Sequence, residues 1–270
     1  MKRVSFLGQI LLAISFGALS SSMALAASAP QDCWPSARER GKYQVRIAST
    51  GKILWEVNWE TNVTDSQGKK RIEVREEGEG QPLKYKQPMR WEKEMVFRDP
   101  MQVESVRSVR WKQTGELFNR TDIEMDALKG QVMVQELEGM SESGRPVWLP
   151  WSPQLLPNEL LFHWVRTLPF EGDAPSAECT LLISADRRFR MQAQVRGTEI
   201  VTTPAGTFAC YRVELSPQLP APLRALAPKM SLWCASQPPH FWVRYEGPVG
   251  GPGSPRAVIE LVKFEQGTAG

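Results

Sequence analysis

The chain has 270 residues, of which 41% are hydrophobic, 23% charged and 9% aromatic, shares that exclude disordered and fibrous classes and leave room for one large domain or two small ones. Lys and Arg number 33 against 30 Asp and Glu, a net charge of +3. Two of those positive charges are Lys2 and Arg3; without them about +1 remains, too little to argue for nucleic acid.

Lys2 and Arg3 open a short positive start, Phe6 to Ala18 is mostly apolar, and Ala24 and Ala26 place small residues two apart. This is the layout of a cleaved secretory signal peptide over residues 1–26, which predicts a periplasmic protein. The apolar run falls short of the ~20 residues a membrane span needs, so no transmembrane span is expected in the mature chain. The remainder, residues 33–265, reads as a single β-rich domain.

The dominant period beyond the address is two. Ile53, Trp55, Val57, Trp59 and Val63 alternate with Lys52, Glu56, Asn58, Glu60 and Asn62. Such alternation places every second side chain on one face of a sheet, with the other face wet, as in antiparallel sheets. Tyr43–Ser49 precedes this strand. Arg71–Glu76, Met95–Arg98, Val103–Trp111, Thr121–Asp126 and Gln131–Glu138 follow it as further strands. Asp122, Glu124 and Asp126 share one strand face, where a cation site or an acid pair competes with a plain solvated face that discourages edge pairing.

Residues 146–157 hold four prolines with Trp148 and Trp151 and are expected to run extended over the sheet rim. Asn158 is then placed to cap a helix of about three turns, with Leu160, Leu161, Trp164, Val165 and Leu168 at helical spacing and Pro169 ending it. One apolar helix among many amphipathic strands predicts a mainly β, antiparallel fold in which the apolar face of a curled sheet is crossed by that helix. Its apolar area, at about 25 cal/mol per Å2, is worth several kcal/mol.

The second half continues with Cys179–Ala185, with Phe189, Met191, Ala193 and Val195 alternating, and with Tyr211, Val213 and Leu215 on one side of a later strand. Met230–Ala235, Phe241–Glu246 and Ala257–Phe264 complete the strands. Ser216–Pro228 is Pro- and Leu-rich and is read as a short flap, and Gly247–Pro255 as a hairpin loop.

Cys33, Cys179, Cys210 and Cys234 all lie beyond the address, and an even count in an exported chain favours disulfides. Three connectivities are open. Cys210 and Cys234 fall on strands expected to be neighbours, which favours that pair and leaves Cys33 with Cys179. There is no CxxC, no GxSxG and no HExxH. His163 lies inside the apolar helix, where packing is a commoner role than catalysis, and His240 is expected to be exposed at a strand start. No metal site, cofactor or catalytic set is predicted, and the chain is read as a non-enzyme.

The run Thr203-Pro204-Ala205-Gly206-Thr207-Phe208-Ala209-Cys210-Tyr211-Arg212-Val213-Glu214 resembles the DUF3108 family. Leu232-Trp233-Cys234, Trp242-Val243-Arg244-Tyr245-Glu246 and Ile259-Glu260-Leu261-Val262 continue the likeness. The resemblance implies exported bacterial envelope proteins without established catalytic residues, similar in fold to the periplasmic lipoprotein carriers: an antiparallel half-open β-barrel wrapped on one apolar α-helix. Physically, Pro204 presets a turn and Gly206 relieves its exit, which makes the run a hairpin.

Ten tryptophans supply rings suited to a carbohydrate, a lipid or a wide core; Trp55 and Trp59 share an expected inward face, with Trp91, Trp111, Trp164 and Trp233 as companions. The expected function is to hold an apolar ligand, a lipid or a lipidated segment, between sheet and helix. The candidate wall is Trp55, Trp59, Leu161, Trp164, Val195, Tyr211 and Val213. The alternative is a scaffold or partner subunit of an envelope complex, using the tryptophans of Val147–Pro153 and a free sheet edge for strand addition.

Overall fold

A computed structural model describes residues 33–34, 38–66, 69–83, 85, 87–98, 101–139, 144–171, 175–220, 227–249 and 254–267. The expected signal peptide lies outside these residues, as do 221–226 of the expected flap. The strands are β1 (Glu39–Ile47), β2 (Ile53–Ser66), β3 (Lys69–Gly80), β4 (Met89–Arg98), β5 (Gln102–Lys112), β6 (Leu117–Asp126), β7 (Gln131–Glu138), β8 (Val147–Pro150) and β9 (Leu155–Pro157). They continue as β10 (Ser176–Ser184), β11 (Arg187–Thr203), β12 (Gly206–Pro217), β13 (Met230–Ala235), β14 (Trp242–Pro248) and β15 (Arg256–Gln266). All belong to one sheet in the order β8-β7-β6-β5-β4-β3-β2-β1-β15-β14-β13-β12-β11-β10-β9. Every pairing is antiparallel except β9 with β10.

The chain lays down one arm from β1 to β8, crosses to the far edge, and returns along a second arm until β15 pairs with β1. Fifteen strands laid flat at ~4.8 Å spacing would separate the two edges by about 67 Å. The link from Pro150 of β8 to Leu155 of β9 can span at most about 18 Å. The sheet must therefore curl until its edges lie near each other, yet β8 and β9 do not pair, so the curl stays open.

Register shows what the curl encloses. Glu39, Thr61, Val74, Met95, Val106, Ile123 and Val134 stand directly opposite one another from β1 to β7, and all are buried. Their neighbours on the opposite face carry charge. Lys42 pairs with Glu56, Arg71 and Arg98 with Glu104, and Arg196 with Glu214. One face is oily and the other is laced with cross-strand ion pairs, as the period of two requires.

The expected three-turn helix is shorter than its apolar spacing indicated. A 3-10 turn at Asn158–Leu160 leads into a five-residue α-helix, α1 (Leu161–Val165). Asn158 does not cap it, because Leu155–Pro157 is drawn into strand β9 and the chain enters from Pro157 with no side-chain cap bond. Beyond Val165 the winding tightens again, with the amides of Thr167 and Leu168 bonding the carbonyls of Trp164 and Val165. The segment is nonetheless enclosed. Leu160, Leu161, Val165 and Leu168 are buried, Phe162 lies 5.0 Å from Trp242 on β14, and His163 lies 6.2 Å from Phe97 on β4. It therefore touches both arms of the sheet.

Two glycines let indoles lie flat across neighbouring strands. Gly41 faces Trp59, and Gly78 faces Trp91 at directly opposed positions. A Cβ on Gly78 would come within 2.3 Å of the Trp91 ring. Gly78→Ala is therefore expected to expel that indole and lower stability by about 2 kcal/mol, an overpacking cost read from denaturant unfolding.

Candidate functional site

The structure sends six of the seven expected wall residues into the main core. Trp59, Leu161, Val195 and Val213 are buried there, while Trp164 and Tyr211 pack against it half-buried. Trp59 stacks on Tyr43 at 5.8 Å, and Tyr211 stacks on Phe170 at 4.7 Å. Trp55 alone sits apart, against a small cluster of Val45, Leu54 and Ala257.

Between helix and sheet lies a charge pair that the alternation of residues does not reveal. Arg166, just past α1, and Glu39, on β1, are both fully enclosed and meet at 3.1 Å. Arg166 also donates to the Pro239 carbonyl through Nε at 3.0 Å and Nη2 at 2.8 Å, and its guanidinium lies 5.0 Å from the Trp34 ring. One side chain thus ties the start of β1, the helix and the loop between β13 and β14. Tyr43 reinforces this region by donating to the Trp242 carbonyl at 2.7 Å while stacking on that ring at 3.5 Å.

His163 faces the same interior. Its Nδ1 is buried without a hydrogen-bond partner. Burial lowers its pKa to about 4; Glu76 opposes this, while Arg166 and Lys93 add to it. Burial pushes the Glu76 carboxyl up, but the Lys93 ammonium at 2.7 Å outweighs it and holds that group below the usual carboxylate range. His163 is therefore neutral at pH 7 and walled from solvent. His240, expected at the surface, is buried instead. Its positive φ of 54° turns the ring inward to Phe170, with Nδ1 2.9 Å from the Ala235 carbonyl oxygen.

The expected disulfides are not formed; all four cysteines are buried thiols. Cys210 and Cys234 are on adjacent strands as anticipated, but Cys234 stands opposite Tyr211 and Cys210 opposite Ala235. That single step of register points the two thiols to opposite faces, which no disulfide geometry bridges. Cys33, beside Trp34, and Cys179, on β10, are likewise not joined. Burial raises the thiols of Cys179 and Cys210 to about 12, so both stay protonated.

The acidic face of β6 resolves into structure. Asp122 is buried and held by Arg107 at 2.9 Å and Arg120 at 2.6 Å. The Thr203–Phe208 run is a tight hairpin, as its turn residues indicate. Thr203 pairs with Gly206, and the Ala205 amide bonds the Leu261 carbonyl on β15.

Open space lies elsewhere, at one end of β2–β5. A cavity of about 680 Å3 is lined there by Leu54, Trp55, Met89 and Trp111. Glu79, Arg90, Glu92 and Gln113 border it with charge and amide groups. Arg90 lies 5.7 Å from the Trp111 ring centroid and bonds Glu92. Trp55 meets Trp91 edge-on at 6.1 Å, and Trp91 is pinned over Gly78. Each indole is therefore held by a neighbour, but on opposite faces of the sheet: Trp55 stands in line with Gly80, Met89 and Lys112, and Trp111 with Arg90, Glu79 and Glu56. Trp55 was anticipated as a wall residue. Trp111 was anticipated as a companion ring of Trp55, but it stands on the face it shares with charged residues.

No family model matches this chain, and no curated protein matches it. Among solved structures it is similar to a β-barrel-like protein of the domain of unknown function DUF1849 from Brucella abortus. That likeness has 11% identity and a TM-score of 0.49, covering 86% of this chain and 98% of that one. It is also similar to a candidate exported protein with a YmcC-like fold from Bacteroides fragilis, at 12% identity and a TM-score of 0.35, over 86% of this chain and 97% of that one. A candidate lipoprotein from Parabacteroides distasonis gives 11% and 0.36, over 87% and 98%. These likenesses are too distant to carry an argument about function, and the DUF3108 resemblance rests on the quoted residues alone.

The free edges offer less than their tryptophans promised. Val147 and Trp148 on β8 are exposed, and Lys129 lies 5.9 Å from the Trp148 ring. Proline stands on each side of this short edge, at Pro146 and Pro150, and closes β9 at Pro157. Proline lacks the amide that a joining strand needs, so both edges are blunted.

Proposed function

We propose that this chain is a non-catalytic binding protein of the cell envelope whose ligand lies in the cavity at the end of β2–β5, which Trp55 borders from one face of the sheet and Trp111 from the other. The carrying observation is that cavity of about 680 Å3 at the strand ends, bordered by one braced indole on each face of the sheet and by hydrogen-bonding groups. Placement in the envelope rests on the address-like first 26 residues. The non-catalytic reading is supported by the burial of both histidines and by the pairing of Asp122 with two arginines.

An apolar ligand between sheet and helix is the reading the sequence favoured. To enter there, a lipid has to displace Leu161 and part the enclosed Glu39–Arg166 pair. That cost moves the proposal to the cavity, which Trp55 lines. Partner binding through β8 keeps the exposed Trp148 in its favour, against the flanking prolines.

The test is native mass spectrometry of protein purified from the envelope without detergent. A co-purifying small molecule is expected in the wild type and is expected to vanish in a Trp55→Ala, Trp111→Ala double variant that still unfolds cooperatively. A ligand retained by the double variant would move the site back toward the helix. A wild-type protein that carries and takes up nothing retires the reading.

A further inference from the structure

Trp34 is 2% exposed, the most deeply buried indole among the described residues. The other buried indoles, Trp59, Trp91, Trp233 and Trp242, stand on β2, β4, β13 and β14, all within the sheet. Trp34 stands on no strand and precedes β1. We infer that Trp34 is an exchangeable occupant of a second ligand site, walled by Phe97 and Arg166, from which a planar aromatic ligand displaces it. The residues Cys33 and Trp34 would then form a strap by which the chain fills its own site.

The ring is held by faces and not by bonds. Its centroid lies 4.9 Å from that of Phe97 on β4, and the Arg166 guanidinium lies 5.0 Å from it. Its Nε1 is buried without a hydrogen-bond partner. A buried indole N–H ordinarily finds an acceptor, and one that does not has given up water for nothing. The ring therefore leaves without breaking a side-chain hydrogen bond, and it gains one from water. An indole on an interior strand has no such route, because withdrawing it tears the ladder on both sides.

The walls stay when the ring goes. Arg166 keeps Glu39 at 3.1 Å and the Pro239 carbonyl at 2.8 Å, bonds in which Trp34 has no part. Phe97 is fully buried on a strand paired on both sides. A ligand entering here leaves the Glu39–Arg166 pair intact, unlike one that parts helix from sheet. The slot offers it an aromatic ring and a fixed cation. A guanidinium is attracted to the face of a π system, and Phe97 adds ring contact, so a flat aromatic is favoured over a saturated ring of equal size. Exposing a side chain this large leaves the strap open in roughly one molecule in a thousand. Local openings of that kind outnumber unfolding of the whole sheet.

Cys33 reports the opening, because its thiol is fully buried beside Trp34, while Cys179, Cys210 and Cys234 are buried on β10, β12 and β13. The test is alkylation of the native protein by N-ethylmaleimide, followed at each cysteine by peptide mass spectrometry. Cys33 is expected to react at least about tenfold faster than the three strand thiols. Indole and 2-naphthol are expected to speed it further, and cyclohexanol to leave it unchanged. Trp34→Ala is expected to bind indole at least about tenfold more tightly than the wild type in isothermal titration, because nothing then has to be displaced. Circular dichroism checks the fold of that variant, and the alkylation of the wild type needs no variant at all. Cys33 reacting in step with the strand thiols would show that the segment opens only with the whole fold, and overturns the inference. So does a Cys33 rate that neither aromatic raises, or a folded Trp34→Ala protein that takes up no indole. Equal acceleration by cyclohexanol overturns the aromatic class. Trp55→Ala is expected to change none of these readings; loss of the indole effect in that variant would assign it to the cavity at the end of β2–β5 and overturn the second site.

Discussion

Arg166→Met is expected to destabilise the protein by about 3–5 kcal/mol, the usual consequence of stranding one partner of a buried ion pair. Glu39 has no exposed surface, so its carboxylate has no water to turn to once the guanidinium is gone. The Pro239 carbonyl loses two bonds in the same stroke. Glu39→Gln combined with Arg166→Met is expected to recover part of the loss, because no charge is then left inside. Urea unfolding of the wild type, the single variant and the double variant reads this directly. A single variant within 1 kcal/mol of the wild type would mean that water reaches the pair.

The second large effect follows pH. His163 has a folded pKa of about 4 against 6.5 for a free imidazole, so the fold prefers the neutral ring. The unfolded chain therefore binds more protons throughout the interval between those values. Stability is complete above about pH 6.5 and is lost progressively as pH falls to about 4, by about 3 kcal/mol in total. The charged groups acting on the ring are Glu76 and Lys93, from the sheet, and Arg166, from its own segment. Glu76 has a depressed pKa, so its contribution is lost only as pH falls below about 4.5, at the acid end of the window. His163→Leu is expected to flatten the fall between pH 6.5 and 4.5. Equal slopes for variant and wild type across that interval would show that the ring is not the titrating group.

Much of this architecture is written in the alternation of side chains. The period of two in Ile53–Val63 and Phe189–Val195 corresponds to strands β2 and β11, and every strand expected from alternation is present. Strands β8 and β9 escaped because Pro146, Pro150, Pro153 and Pro157 mark a segment as loop, and an edge strand tolerates proline where a central one does not. Helix length was overread because apolar spacing at Leu160–Leu168 is satisfied equally by tight 3-10 turns. The disulfide expectation failed on a single step of register, which no strand forecast resolves without the partner strand. The Glu39–Arg166 pair was invisible for a related reason. A glutamate opening one strand and an arginine closing a helix read as surface residues until the curl brings them together. The cavity was half legible: Trp55 and Trp111 were both candidate rings, but only the pairing of β2 to β5 shows that they stand on opposite faces of the sheet.

The seam between β1 and β15 has a consequence for how the protein is made. Most neighbouring strands are consecutive along the chain and can zip as local hairpins while synthesis proceeds. The junction of the two arms joins Glu39 to Gln266 and cannot form until the last strand has emerged. Contacts this distant in sequence slow folding, because the intervening chain must be ordered before they reward it. The first arm therefore waits with an unpaired border, and Arg166 and Glu39 wait for the Pro239 carbonyl. A chain truncated before Arg256 is expected to be degraded or to aggregate rather than to persist as a smaller domain.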